Sequence, residues 1–376
     1  MTDELNAPNG RGLLERLAQG PVLCAEGYLF ELERRGYLQA GAFVPEVVLE
    51  HPEVVAQLHR EFVHAGSDVV EAFTYYAHRE KLRMIGAEHL LEPVNREALA
   101  VARSVARETG ALLAGNVCNT NVYLGDEASR RAVRAMLDEQ VGWAAEAGVD
   151  YVIAETFQFA GEALLAVEAI RAAGLQAVVT LAIHQHPETR DGLSPEEACR
   201  RLAGAGAAVV GLNCIRGPQT MLPLLRRIRA AVDTPVAALP VPYRTHAGEP
   251  TFQSLTDPAA GRLPDDRPFP TALEPLTCNR YETAAFAREA LDLGVDYLGL
   301  CCGAAPHHIR AMAEAMGRRP PASRYSPDMS KHAYLGTDPA CERRTSRSRR
   351  GSRCRPPSSA SPSSARAASA APPRTG

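Results

Sequence analysis

Eight short apolar runs recur along the chain, separated by stretches whose apolar positions follow a helical period. The runs are PVLCAE (21–26), DVVEAF (68–73), ALLAGNV (111–117), VDYVIAE (149–155), QAVVTLAI (176–183), AAVVGLNC (207–214), PVAALPV (235–241) and VDYLGL (295–300). Each is almost continuously apolar, the pattern of a parallel strand covered on both faces. Amphipathic segments such as 52–66, 95–110, 130–148 and 194–206 lie between them, and all four end in Gly, a common helix stop. The last of these opens on SPEE, with Ser194 as cap, Pro195 in the first turn and acids behind it.

Strand–helix alternation repeated eight times predicts a (β/α)8 barrel. The alternative is an open doubly wound sheet, which calls for a glycine-rich phosphate loop after an early strand; the sequence has none. A barrel of this kind carries its site at the C-terminal ends of the strands. Those ends are polar here: Glu26, Glu71 and Thr74, Asn116 and Asn119, Glu155, His184 and His186, Asn213 and Cys214, Tyr243, then Cys301 and Cys302.

One Cys ends the sixth run and a Cys pair ends the eighth, so three sulfurs can face one mouth. Three thiolates with an open fourth position make a catalytic type of zinc site, and soft ligands select zinc or Cu(I) over Mg or Ca. Zinc so held activates water poorly, but it can bind and deprotonate a further thiol, whose ordinary pKa is about 8.5. The natural reaction is alkyl transfer to a substrate thiol. The plain alternative is that these are core thiols. That is the reading for Cys24, Cys118, Cys199 and Cys278, while Cys341 and Cys354 fall in a polar tail.

Composition narrows the picture. The 376 residues are 45% hydrophobic and 23% charged, as in a soluble globular protein. The net charge of −3 is uneven: residues 341–376 hold nine Arg and one Glu, and the preceding 340 residues hold 32 basic and 43 acidic side chains. A body of net charge −11 argues against nucleic acid as a partner. The polar start predicts no signal peptide, and no apolar stretch predicts a membrane span. Nine Cys without a secretory signal predict reduced thiols in the cytoplasm.

GLNC (211–214) followed by GLCCG (299–303) resembles the zinc signature of the homocysteine S-methyltransferase family, most closely its betaine-using branch. ELERRGYLQAG (31–41), EHPEVVAQLHREFVHAGSDVVEAFTYYA (50–77), VDYVIAETF (149–157) and ALEPLTCNR (272–280) resemble that family in the same order. The resemblance spans about residues 12–320. It implies a zinc-bearing (β/α)8 barrel in which zinc activates homocysteine and a methyl group is transferred to give methionine.

Matched by motif, Cys214, Cys301 and Cys302 are the implied zinc ligands, and Glu155 holds the homocysteine amino group. Asn213 is an implied substrate or ligand-supporting contact, and Tyr76 belongs to the methyl-donor region. Several positions depart from the family pattern. The first strand ends CAEGY instead of in an Asp-Gly pair, which leaves Glu26 as the nearest acid. Phe43 stands where betaine-using members have Trp, and Thr156 where they have Tyr. Onium groups are recognised by aromatic faces, so the donor half of the site is altered while the homocysteine half is kept. Betaine is the expected donor, with S-methylmethionine as the alternative; a zinc hydrolase or lyase is a more distant rival. His184 and His186 are not counted as site residues, and His307 and His308 read as helix surface.

The Pro-rich stretch 243–270 predicts a functional lid or an assembly element. Family-like text stops at Pro339, so 321–340 reads as the remnant of a C-terminal arm. Residues 341–376 contain no Leu, Ile, Val, Phe, Tyr or Trp and read as a disordered basic tail. The abrupt shift fits a change of reading frame, which the neighbouring frames of the gene would reveal. Loss of the arm puts the family's homo-oligomer in doubt.

Overall fold

The computed structural model describes residues 12–258, 263 and 267–338. Eight strands form one parallel sheet: β1 (Val22–Ala25), β2 (Val69–Glu71), β3 (Leu112–Cys118), β4 (Tyr151–Phe157), β5 (Ala177–Leu181), β6 (Val209–Asn213), β7 (Val236–Leu239) and β8 (Tyr297–Leu300). Chain neighbours from β2 to β8 are sheet neighbours, and β8 pairs in parallel with β1. Each strand sits within a predicted run or overhangs it by at most two residues. The observed strands are mostly shorter, because the ends of the runs turn out of the ladder into the mouth.

The seam between β1 and β2 is closed largely by side chains. The Asp68 amide donates to Leu23 O at 2.7 Å, and the Leu23 amide donates to Asp68 Oδ2 at 2.8 Å. The Ala25 amide donates to Ser67 Oγ at 3.2 Å. Arg16 and Arg318 also reach the Asp68 carboxylate, so both ends of the barrel sequence meet at this seam.

Helices follow the strands and cover the outer face: Pro52–Ala65, Leu91–Thr109, Glu127–Ala147, Ala160–Ala172, Pro195–Gly204, Pro218–Arg229, Arg280–Asp292 and Pro306–Ala315. Ser194 caps its helix by accepting from the Glu197 amide at 3.3 Å. Every strand residue is buried, because one face meets these helices and the other fills the barrel. The interior set includes Val22 and Cys24, Val69, Leu112 and Ala114, Tyr151 and Ile153, Val209, Leu239 and Tyr297. Tyr151 and Tyr297 share a hydrogen bond of 2.8 Å between hydroxyls there, so neither buried hydroxyl is left alone.

One expectation fails. His308 is buried, not on the helix surface: its Nδ1 accepts from the Ala305 amide at 3.2 Å, and its Nε2 lies 3.0 Å from Cys278 O. The first turn of its helix packs over the Cys278 loop, and the ring fills that gap. His307 beside it is exposed. In the 243–270 stretch, Phe252 stacks on Tyr243 at 5.9 Å and meets Phe269 edge-on.

Compact units divide between Arg324 and Tyr325. In the second unit the described residues include a 3-10 turn, Met329–Lys331, which Asp328 caps through the Ser330 amide. The tail expected to be disordered lies outside the described residues. Among those residues no helix is long and apolar enough to cross a membrane.

Candidate active site

Side chains along a strand alternate between faces. With Tyr151 and Ile153 inside the barrel, the next inward position on β4 is Glu155. The same parity carries Val22 and Cys24 to Glu26, Val69 to Glu71, and Leu112 and Ala114 to Asn116. On β6 it carries Val209 to Asn213, and on β8 it carries Tyr297 to Cys301. Strand period alone therefore brings three carboxylates, two amides and a thiol to the top layer of the barrel.

These side chains surround a cavity lined by Glu26, Glu71, Asn116, Glu155, Thr156, Cys214, Cys301 and Cys302 on its polar side. Tyr28, Phe73 and Tyr75 contribute aromatic walls. Asn213 lies just beneath. Its Nδ2 donates to Glu155 Oε2 at 2.7 Å and Thr156 Oγ1 at 3.0 Å, and lies 3.5 Å from Glu26 Oε2. Its Oδ1 accepts from the Thr156 amide at 2.9 Å. One buried amide thus ties the turn after Glu155 to the end of β6.

The three sulfurs of Cys214, Cys301 and Cys302 lie within 4.8 Å of one another, with Cys301 and Cys302 Sγ 3.9 Å apart. A tetrahedral zinc with bonds of about 2.3 Å sets its sulfurs about 3.8 Å apart, so the thiols fit such an ion. No disulfide consumes them. Cys301 and Cys302 do not point to opposite faces as on a strand, because β8 ends at Leu300 and the pair sits in the turn beyond it.

Gly303 forces that turn. Its φ is +93°, and a β-carbon there would lie 2.2 Å from the Tyr243 hydroxyl. That hydroxyl accepts from Arg34 Nη2 at 2.9 Å. Cys214, Ile215 and Thr156 hold left-handed backbone with φ of 54°, 57° and 61°. Such conformations cost about 1–3 kcal/mol each and persist where the surroundings fix them. Here the Cys214 amide donates to Leu239 O at 2.9 Å, and Asn213 grips Thr156.

The electrostatics follow from dry burial. Hydrogen bonds from the Cys301 and Cys302 thiols pull the Cys214 thiol well below its ordinary value, and the two donors rise. Burial pushes Glu155 up to about 7, against the hydrogen bond from Asn116. Burial and then the Glu155 charge push Glu71 up, and Glu26 rises for the same reasons. Among the described residues no Lys or Arg pairs with these three carboxylates. The oxygens of Glu26 and Glu155 lie within 4.8 Å of each other and of Cys301 Sγ. A ligand here meets carboxylates and sulfur side by side, and it enters most favourably with a positive charge at one end.

Of the residues singled out in the sequence, Glu26, Glu155, Thr156, Cys214, Cys301 and Cys302 line this cavity, and Asn213 bonds to it. Phe43 and Tyr76 are not among the lining side chains. Phe43 stacks on Phe30 at 6.0 Å, and Tyr76 packs on Tyr75 with the Lys81 ammonium 4.3 Å from its ring centre. His184 is half-buried and His186 exposed, in a loop whose carbonyls are held by Arg216. Glu71 and Asn116 had been noted only as polar strand ends. Inward parity on β2 and β3 is the signal that finds them.

Residues 27–316 match the family model described as "Homocysteine S-methyltransferase". Betaine--homocysteine S-methyltransferase 1 of Rattus norvegicus is 40% identical over 341 residues, covering 87% of this chain and 79% of that protein. S-methylmethionine--homocysteine S-methyltransferase BHMT2 of Pongo abelii is 36% identical over 338 residues, covering 87% and 86%. The crystal structure of the homocysteine methyltransferase MmuM from Escherichia coli, in its metallated form, superposes with a TM-score of 0.62 at 20% identity. It covers 80% of this chain and 98% of its own, and shares the fold.

Proposed function

The chain belongs to the homocysteine S-methyltransferase family, and from that premise we propose that it transfers a methyl group from betaine, or a similar methylated onium donor, to the homocysteine thiolate, giving methionine. The observation that carries this reading is the convergence of Cys214, Cys301 and Cys302 with Glu155 in one cavity. Cys214, Cys301 and Cys302 would hold zinc, which supplies a charge that favours the thiolate form of the substrate thiol while leaving it nucleophilic.

The protein's own groups do the rest. Glu155 receives the substrate ammonium, with Glu26 beside it. Asn213 and Thr156 fix the Glu155 carboxylate through bonds of 2.7 and 3.1 Å, so it need not reorganise when the ammonium arrives. The chemical step moves a methyl cation from the onium centre to sulfur: the donor C–N or C–S bond breaks as the new C–S bond forms, and the donor leaves neutral at that centre. Methyl transfer of this kind is an in-line displacement, so the donor enters opposite the thiolate. The faces of Tyr28, Phe73 and Tyr75 offer an onium group cation–π attraction at that wall. Exclusion of water by the same wall protects the thiolate from protonation. The three thiols must stay reduced to serve, which suits a reducing compartment such as the cytoplasm.

The test is methionine formation by zinc-loaded protein given homocysteine with betaine or S-methylmethionine in separate reactions. Betaine supports turnover in this reading, and Cys214→Ala abolishes it. Turnover with S-methylmethionine alone assigns the other donor, a reading that Thr156 favours because it places no aromatic face beside Glu155. Turnover with neither overturns the proposal.

A further inference from the structure

We infer that Asn116 is a further specificity residue, which receives the amino group of the thiol substrate through its side-chain oxygen, and that Glu71 is the residue that positions it. The inference rests on homocysteine as substrate and concerns how its amino end is gripped.

Asn116 stands midway along β3, buried and lining the cavity. Its Nδ2 carries two hydrogens and has two acceptors: Glu71 Oε1 at 2.5 Å and Glu155 Oε1 at 2.6 Å. Those bonds use both donors and fix the plane of the amide. The remaining end, Oδ1, is buried and has no hydrogen-bond partner among the described residues. Glu26 Oε1 in the same cavity is likewise without a partner. Two buried acceptors without donors, beside three carboxylates without a cation, describe the missing group. It carries several hydrogens and a positive charge. A primary ammonium has three hydrogens to give and accepts none. The substrate's other ends do not serve: a carboxylate donates nothing, and a thiol has one weak hydrogen. One hydrogen each for Glu155, Glu26 and Asn116 satisfies the set.

Glu71 gives Asn116 its direction. It ends β2, in register with Ala114, two residues before Asn116 on the same face of β3. From there it takes one hydrogen of the amide nitrogen while Glu155 takes the other, which leaves Oδ1 as the free end. Without it only the bond to Glu155 holds the amide, and an amide that turns presents N–H groups to an incoming ammonium. A site built to hydrogen-bond an amino group rejects the analogue that lacks one, because its own polar atoms stay unpaired.

Calorimetric titration of the zinc-loaded full chain tests this, using homocysteine and 4-mercaptobutanoate, the same thiol without the amino group. The wild type should bind homocysteine at least tenfold more tightly. Asn116→Ala should weaken homocysteine roughly tenfold, or about 1.4 kcal/mol, and leave 4-mercaptobutanoate within twofold. Glu71→Ala should act in the same direction. If Asn116→Ala does not fold, Asn116→Ser replaces it with the same expected result. Equal weakening of both thiols would make Asn116 a packing residue only and overturn the inference while the proposed function stands. Equal affinity of the wild type for both thiols would also overturn it. Failure of the wild type to bind either thiol removes the functional reading, and this inference with it.

Discussion

Cys214 leaves β6 with left-handed backbone and brings its sulfur to the Cys301–Cys302 pair. At the scale of single residues this trio was legible in the sequence, because cysteines at the ends of two strands of one barrel must face the same mouth. Glu71 and Asn116 were harder to assign. Their meaning lies in bonds across β2, β3 and β4, at separations of 45 and 39 residues that no local motif records. Phe43 and Tyr76 rest on motif matching. It gives them a donor-site role, and in the structure Phe43 stacks on Phe30 and Tyr76 packs on Tyr75. If the trio holds the metal, Cys214→Ser should purify with less than about a tenth of the wild-type zinc, measured by mass spectrometry, with its fold intact by circular dichroism. Asn213→Ala should keep its zinc and lose roughly 10–100-fold in kcat/KM, since it supports Glu155 without supplying a sulfur.

The eight strands were legible as elements because both of their faces are covered, which makes each run apolar throughout. Their ends were less so: on five strands the run continues one or two residues after the ladder stops, and on β3 and β4 the ladder outlasts the run. The closed barrel was legible too, but the sealing of its β1–β2 seam was not. It depends on Asp68, an ordinary acid in sequence, which holds the Leu23 amide at 2.8 Å and the Arg318 guanidinium at 2.5 Å and also meets Arg16. Charged hydrogen bonds contribute about 1.5–3 kcal/mol each at such partly buried sites. Asp68→Asn should therefore lower stability by about 2 kcal/mol, seen as a lower urea midpoint. An unchanged midpoint would mean the β1–β2 seam is held by packing alone.

On the scale of the whole molecule, the response to acid has a defined source. His59 is buried edge-on against Tyr28 at 4.8 Å, with neither ring nitrogen bonded among the described residues, and burial lowers its pKa to about 3. Unfolding exposes a group that takes its proton near pH 6.5. Between those values the unfolded chain binds more protons, so this contribution to stability is lost as pH falls from about 6.5 towards 3. The loss is about 3 kcal/mol by pH 4. His59→Phe should flatten the decline of stability between pH 6.5 and 4, measured by denaturant titration at each pH against wild type; parallel curves would exclude His59. The central claim, that three thiolates hold a metal and leave one position for the substrate's sulfur, is tested most directly by X-ray absorption at the zinc edge with and without homocysteine. The account predicts three sulfur neighbours without substrate and four with it, at about 2.3 Å. A sulfur count that does not rise on adding homocysteine would contradict it.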